Sequence, residues 1–592
     1  MNNKKISKIA YFLGLMVLAL LPFYRVFFGV DFTDTGYSIA NFMNFTDKRG
    51  FWSLSTYLAN FAGFIFTRLP FGRTLVGIRF YCTLVVVALV VYLYVKLSRI
   101  FNSIPVFVGL LISILMTWCP FVVLYNYLSY LLTAVILILL YEALNDGKEC
   151  KFFVAGLLLG ANVFVRFSNL TVAILIIPVA ICTLQNFDKK KLGILLRRTG
   201  LSVGGFATGF AAMFVMTGIT HGFGSFFKML DTLSSLSNAD YGYSYKDMLL
   251  TLPYEIMGYG KWIPIVVLLI LCAYMATIML KHYKLNRWIG LAFSLTTATA
   301  VLVILRYMSY WSVFTVHDYN SYLSVSVFAL IAVLGTGLAS IVSLIKQKNV
   351  FFAISVLCLI FIIPLGTNTG LLAYQNFMFI IVPTGFGIFM NLVGDGLNNG
   401  TEAEEGIGRR TPLWDIIKMV TPINAAVGLL LLVALFQSGL FYKTFCYASA
   451  SNTELTASFD KGVLKGTKAL PGMVTIVSGL DDYIEDAGIR NKKVITWGDI
   501  PLMGFALDMQ DAISTGWPDL TSYRAESFTA EIAKLDSDLP IIIVNKWYSG
   551  GNPLDEAVWP YSKKAEILAG FMQEHSYKQS FENDKFLVYR AD

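Results

Sequence analysis

Asp31 and Asp34 are the first groups in this chain whose type and spacing could do chemistry. They stand in Val30-Asp31-Phe32-Thr33-Asp34-Thr35-Gly36-Tyr37, just beyond the first long apolar run. Charge at a bilayer boundary is costly to place and usually has a use, although a solvated loop at a helix end is the plain alternative. Other charges fall at comparable depths: Arg73 and Arg79 flank the start of the second apolar run, and Arg166 ends the fifth. Arg306 ends the ninth, and His317-Asp318 come just before the tenth. A lone arginine there snorkels to lipid headgroups, whereas several sharing a face with carboxylates form a pocket for a lipid phosphate. His221, His317, Asp31, Asp34 and Asp318 have the donor types for a divalent ion, but their spacing carries no metal signature, so no cofactor is certain and a metal is left open.

The elements that must position these groups are membrane helices. Mean hydropathy is +0.64, with 56% hydrophobic and 14% charged residues in 592. That describes a polytopic membrane protein and excludes an ordinary soluble fold. At roughly 20 apolar residues per span there are about 13 candidates. They cover approximately residues 9–30, 75–95, 103–119, 121–142, 152–166, 170–185, 199–219, 262–280, 288–305, 322–345, 350–365, 372–393 and 418–440. The fifth and sixth are short enough to be re-entrant or strongly tilted. Basic clusters at Lys4-Lys5, Lys96/Arg99, Lys148/Lys151, Lys189–Lys191, Lys281/Lys284, Lys346/Lys348 and Arg409-Arg410 all fall on one side if every span crosses. The positive-inside rule makes that side the cytoplasm. The net charge of +8 is therefore topology, and no nucleic-acid partner is implied. The long N-terminal run, with no small-residue cleavage site after it, reads as a retained span with the N-terminus cytoplasmic.

The same register puts loops 31–74, 220–261 and 306–321 outside, rich in aromatic and acidic residues. Gly50–Leu58 is amphipathic enough to lie along the interface. The tyrosines of Tyr241-Gly242-Tyr243-Ser244-Tyr245 suit an aromatic belt or a sugar-stacking surface. The seven cysteines have neither paired nor metal-type spacing.

After about residue 441 the apolar runs shorten to strand length. Met473–Val477, Lys493–Trp497, Ile541–Val544 and Phe586–Tyr589 read as strands, and Ser527–Leu535 and Lys563–Glu574 as helices. The fold class is thus an α-helical membrane region over 1–440 followed by a mostly parallel α/β domain over 441–592, on the outer side. Gly498-Asp499-Ile500-Pro501 follows a strand, where ligand loops of such sheets lie. No phosphate-binding glycine fingerprint occurs.

This pattern resembles the GT-C superfamily of membrane glycosyltransferases, of the protein mannosyltransferase and aminoarabinose transferase type. Asp34-Thr35-Gly36-Tyr37 looks like that superfamily's Asp-Glu-Gly-Tyr kind of motif after the first span. Trp497-Gly498-Asp499-Ile500-Pro501 and Gly516-Trp517-Pro518-Asp519-Leu520 look like pieces of its bacterial members. Thr35 departs from the motif, standing where a second acid is usual and leaving Asp31 or Asp318 to supply it. The resemblance implies a plasma (inner) membrane enzyme that takes sugar from a polyprenyl-phosphate donor to a glycan, lipid or protein acceptor of the cell envelope. It implies inverting displacement with Asp34, or Asp31, as the base. Tyr37, Arg73, Arg166, Arg306, His317 and Asp318 would then meet the substrates, the arginines facing phosphate. A glycan or lipid transporter and a non-catalytic envelope-binding scaffold are the alternative readings.

Overall fold

The computed structural model describes residues 3–46, 51–185, 189–236, 245–258, 322–365, 371–398, 422–520, 522–535, 538–546 and 563–591, with scattered helical positions between 268 and 300. In chain order the helices are α1 (Asn3–Leu20), α2 (Asp34–Met43), α3 (Phe51–Ser55), α4 (Tyr57–Phe66), α5 (Leu75–Leu97) and α6 (Ser103–Leu115). Then come α7 (Leu124–Asp146), α8 (Cys150–Val163), α9 (Ile176–Leu184), α10 (Lys189–His221), α11 (Phe223–Leu236) and α12 (Tyr245–Gly258). Helices at Tyr322–Ile345, Val350–Ile362, Leu371–Asn398 and Pro422–Thr444 precede the α/β region. Contacts gather the chain into two compact units. One comprises Met1–Leu93, Cys119–Tyr245 and Cys446–Asp592; the other comprises Tyr94–Trp118 and Lys246–Phe445.

Among the described residues five helical segments are long and apolar enough to cross a membrane: Lys8–Phe27, Leu75–Leu97, Leu124–Asp146, Phe167–Leu184 and Lys189–His221. Their positions match five of the expected spans, with two shifts of boundary. The first segment leaves α-geometry at Leu20 and continues as a 3₁₀ turn, Leu21–Phe27, with Pro22 in its first turn. A proline cannot donate to the ladder of a continuing α-helix, so it favours a fresh start. The α10 helix begins at Lys189, so the basic cluster expected in a loop forms its first turns. The spans read at 103–119 and 152–166 are shorter apolar helices, α6 and α8. The spans read at 262–280 and 288–305 lie largely outside the described residues, as does the tyrosine-rich stretch near 241.

In the first unit α8 and α10 cross through facing glycines. A Cβ on Gly156 would stand 2.0 Å from Ser202 O, one on Gly205 2.0 Å from Phe153 O, and one on Gly209 2.1 Å from Leu157 O. Gly156/Gly160 and Gly205/Gly209 are each spaced by four, the small-residue pattern that lets helix backbones touch in lipid. The described part of loop 31–74 carries helices α2, α3 and α4. Leu54 and Tyr57 are buried with Phe45, Val163, Phe164, Phe226 and Met229. The Tyr57 hydroxyl lies 2.9 Å from Thr220 Oγ1. Within the stretch, Asn60 Nδ2 donates to Ser53 O at 3.0 Å.

The end of the same unit is an α/β sheet. Its strands are β1 (Ala457–Ser458), β2 (Lys468–Ala469), β3 (Lys493–Trp497), β4 (Gln510–Asp511), β5 (Ile541–Asn545), β6 (Lys578–Glu582) and β7 (Phe586–Arg590). The β1–β2 pair is separate from the main sheet, which runs β4-β3-β5-β7-β6. Strand β3 is parallel to both β4 and β5, whereas β5–β7 and β6–β7 are antiparallel. The sheet is therefore mixed, because the chain ends in a hairpin in which the Asn583 side chain accepts from the amides of Lys585 and Phe586. The register places Ile495 beside Ile542 and Ile542 beside Tyr589. With Trp497, Val544 and Leu587 they form one core face under helices Ala525–Ile532 and Lys563–Glu574, as a period of two requires. The strand expected at Met473–Val477 is instead part of helix Pro471–Asp486, with proline in its first turn and Val477, Leu480 and Ile484 buried. A run of five residues, four of them apolar, does not separate strand from helix, and the helical spacing beyond it decides.

In the second unit Gly109 of α6 packs on Pro383, where an added Cβ would be 2.5 Å from its Cα. The α6 helix is capped by Asn102, whose side chain accepts from Ile104 N at 3.0 Å.

Candidate functional site

Asp31 and Asp34 have different fates three residues apart. Asp31 is 2% exposed and accepts from Thr33 N (2.9 Å), Thr33 Oγ1 (2.7 Å) and Thr35 N (2.7 Å). It closes the turn into α2 and satisfies amides that the helix leaves open. Asp34 opens the first turn of α2, half-buried. Its Oδ2 accepts from the Tyr447 hydroxyl. Burial, then the negative charge of Asp31 and more weakly that of Asp499, push the Asp34 carboxyl up from 3.8 to about 6, against the pull of the Tyr447 bond. Burial and the neighbouring Asp34 and Asp31 push the Tyr447 phenol strongly upward, so at neutral pH it keeps its proton and donates it to Asp34.

The α/β domain fixes this motif from below. Leu502 N donates to Phe32 O at 3.0 Å, and Gly36 faces Leu502 so closely that a Cβ would lie 2.3 Å from its amide nitrogen. Gly29 N donates to Lys468 O, and Leu75 N to Val463 O, each at 2.8 Å. Asn44 Nδ2 reaches Asp511 Oδ2 at 3.2 Å. Tyr37 packs its ring edge-on against Trp517, centroids 5.6 Å apart, and burial raises its phenol to about 12. The 498–502 loop is itself pinned. Asp519 Oδ2 accepts from Gly498 N (3.1 Å) and Asp499 N (2.9 Å), and Asn545 Nδ2 donates to Gly498 O at 2.8 Å. Burial raises Asp519 to about 6. It also lowers Lys564, whose ammonium donates to Pro518 O and Leu520 O, to about 8.

Cations come from two spans. Arg166 Nη1 donates to Asn126 Oδ1 at 3.4 Å, and its guanidinium lies 5.5 Å over the Tyr125 ring. Asn126 donates in turn to Cys119 Sγ at 3.4 Å, and the Cys119 thiol is within electrostatic reach of Asp34, Asp31 and Arg166 together. Arg79, 8% exposed, is spent on the backbone. It donates to Phe28 O (3.1 Å) and Gly29 O (2.8 Å) and so holds the turn before Asp31. Arg73 is exposed. Arg306, His317 and Asp318 lie outside the described residues. His221 is 1% exposed and bonded to Phe45 O (2.7 Å) and Thr220 Oγ1 (2.8 Å), which makes it a packing residue. Among the described residues no three His, Cys, Asp or Glu side chains gather for a metal ion.

Sequence reasoning missed Tyr447 and Asp519. Nothing marks Tyr447 among the aromatic residues that end a span. Asp519 was legible only as part of the Gly516–Leu520 segment.

No known family's sequence model matches this chain, and no curated protein does. Among solved structures it is similar to the crystal structure of the Archaeoglobus fulgidus oligosaccharyltransferase in complex with zinc and sulfate. The identity is 12% and the TM-score 0.46, over 98% of this chain and 73% of that one. At that level of likeness nothing about activity transfers, and the chemistry rests on the residues themselves.

Proposed function

We propose that this protein is a membrane glycosyltransferase that moves a sugar from a polyprenyl-phosphate donor to an acceptor hydroxyl on the outer face of the plasma membrane. The observation that carries this reading is Asp34: half-buried at a helix start, raised to about 6, and oriented by Tyr447. A base contributes most when its pKa is near the working pH. The resemblance of Asp34-Thr35-Gly36-Tyr37 to the GT-C motif points the same way. In this reading the acceptor oxygen attacks the anomeric carbon as Asp34 takes its proton. The carbon–oxygen bond to phosphate breaks, and polyprenyl phosphate leaves with the electron pair. Arg166, aligned through Asn126, faces the charge developing on that phosphate, the kind of preorganised stabilisation that lowers such barriers. Residues 1–440 form the membrane catalytic region with the N-terminus cytoplasmic. Residues 441–592 form an extracytoplasmic domain that holds the motif and shapes the acceptor side.

The test is sugar transfer by purified protein in liposomes supplied with polyprenyl-phosphate hexoses and pentoses and a mixed panel of glycan, lipid and peptide acceptors. The reading expects transfer from at least one donor with inversion at the anomeric carbon. Folded protein that turns over none of them, or that retains the anomeric configuration, would overturn it.

A further inference from the structure

We propose that Asp499, delivered by the α/β domain, is the second carboxylate of the reaction centre and grips the hydroxyls of an acceptor sugar while Asp34 takes the proton. This rests on the glycosyl-transfer reading above. The motif lacks its usual second acid because Thr35 stands there. Asp31 cannot replace it, since both of its oxygens are committed to Thr33 and Thr35. Asp499, distant in sequence, lies within electrostatic reach of Asp34 and is half-buried.

The way Asp499 is held argues for use. It is a non-glycine residue at φ 55, following Gly498 at φ 93. Such backbone persists only where surroundings over-determine it, and it concentrates at functional sites. Here the surroundings are the Asp519 carboxylate on two successive amides, Asn545 on the Gly498 carbonyl, and the Leu502–Phe32 bond that ties the loop to α2. Trp517 Nε1 donates to Asp499 Oδ1 at 3.0 Å, which fixes the carboxylate plane. No described residue donates to Oδ2. The loop leaves the carboxyl end of β3, whose parallel neighbours β4 and β5 lie on opposite sides. That is the switch point at which open α/β sheets take ligands. Trp517 and Tyr37, edge to face, supply an aromatic wall beside the carboxylates, the combination that suits a sugar ring with its hydroxyls.

Asp499→Asn tests this cleanly, because asparagine tolerates positive φ at least as well as aspartate. The backbone is kept and only the charge is lost. The titratable groups around Asp34 are Asp31, Asp499, the Tyr447 hydroxyl and the Cys119 thiol, so removing one negative charge also eases ionisation of the base. Kinetics in liposomes should show acceptor KM raised about fivefold, the difference between charged and neutral hydrogen bonds, with donor KM unchanged. The acid limb of kcat/KM should move to lower pH. Asp499→Glu should recover part of the acceptor affinity, and Trp517→Phe, which removes the Nε1 donor, should raise acceptor KM with kcat little changed. Asp499→Asn protein that melts like wild type, with acceptor KM and acid limb unmoved, would overturn the proposal. So would loss of kcat alone, which marks a merely structural role. Wild-type protein inert to the whole donor panel would instead overturn the glycosyl-transfer reading beneath it.

Discussion

Replacing Gly36 by alanine puts one carbon where the protein has no room for it. The added Cβ would stand 2.3 Å from Leu502 N, 2.6 Å from its Cα and 2.7 Å from its Cβ. Carbon contacts are comfortable near ~3.5 Å, so α2 and the Leu502–Ala506 helix must part by roughly 1 Å. The Leu502 N–Phe32 O bond, now 3.0 Å, is then too long to count as a hydrogen bond. Overpacking of this kind costs ~1–3 kcal/mol, and the lost bond adds ~1 kcal/mol. Alanine's better helix propensity returns ~1 kcal/mol, leaving a net loss on the order of 1–3 kcal/mol. The functional loss should be larger, because Asp34 lies in the same helical turn and a displacement of about 1 Å at a reacting group can cost ~10²-fold. The assay pairs a thermal melt in detergent with transfer rate per folded molecule. Gly472→Ala is the control, since Gly472 is helical with nothing near its missing Cβ. Gly36→Ala protein with wild-type melting and a rate within twofold would refute the claim that the α/β domain positions the motif through this contact.

Three further expectations follow from the same geometry. Asp31→Ala removes the acceptor of Thr33 N, Thr33 Oγ1 and Thr35 N and should cost about 1–2 kcal/mol, as lost helix caps do. Turnover per folded molecule should survive; an unchanged melt with collapsed kcat would mean that Asp31 does chemistry. The base must be ionised, and Asp34 is raised to about 6, so activity should be full above that pH. Log kcat/KM should fall with unit slope as pH drops through it, and a profile flat to pH 4.5 would contradict the assignment. Gly209→Leu, which drives a side chain into Leu157 O, should abolish folded protein, whereas Gly204→Leu on the same helix meets nothing and should be tolerated. Size-exclusion yield separates them, and equal yields would refute close α8–α10 packing.

Much of this fold was readable from local pattern. Lys563–Glu574 and Lys493–Trp497 have the bounds their periodicity gave, and the Gly498–Pro501 loop lies at a strand end as its glycine and proline implied. What local pattern could not show is pairing at long range. Tyr447 meets Asp34 across 413 positions, and Asn44 meets Asp511 across 467; no periodicity encodes such contacts. The identical residue type at Asp31 and Asp34 hid their division of labour, because capping and catalysis both ask for a carboxylate near a helix start. Met473–Val477 was misread since β-branched residues fit a buried helix face as readily as a strand, and the deciding Pro471 lies outside the run. The closing hairpin turned a sheet of βαβ character into a mixed one, which the alternation of strands and helices upstream did not foretell.

The most direct test of the central claim is turnover by Asp34→Asn protein beside wild type, at saturating donor and neutral pH, with melting recorded for both. Asparagine keeps an oxygen for the Tyr447 hydroxyl. Sign matters for the melt: a carboxyl whose folded pKa is raised to about 6 from 3.8 costs stability above that pH, so the variant should melt no lower than wild type. Its turnover should fall by about 10²–10⁴-fold, the usual worth of a general base. Normal turnover in a folded Asp34→Asn protein would contradict the account and move the base elsewhere.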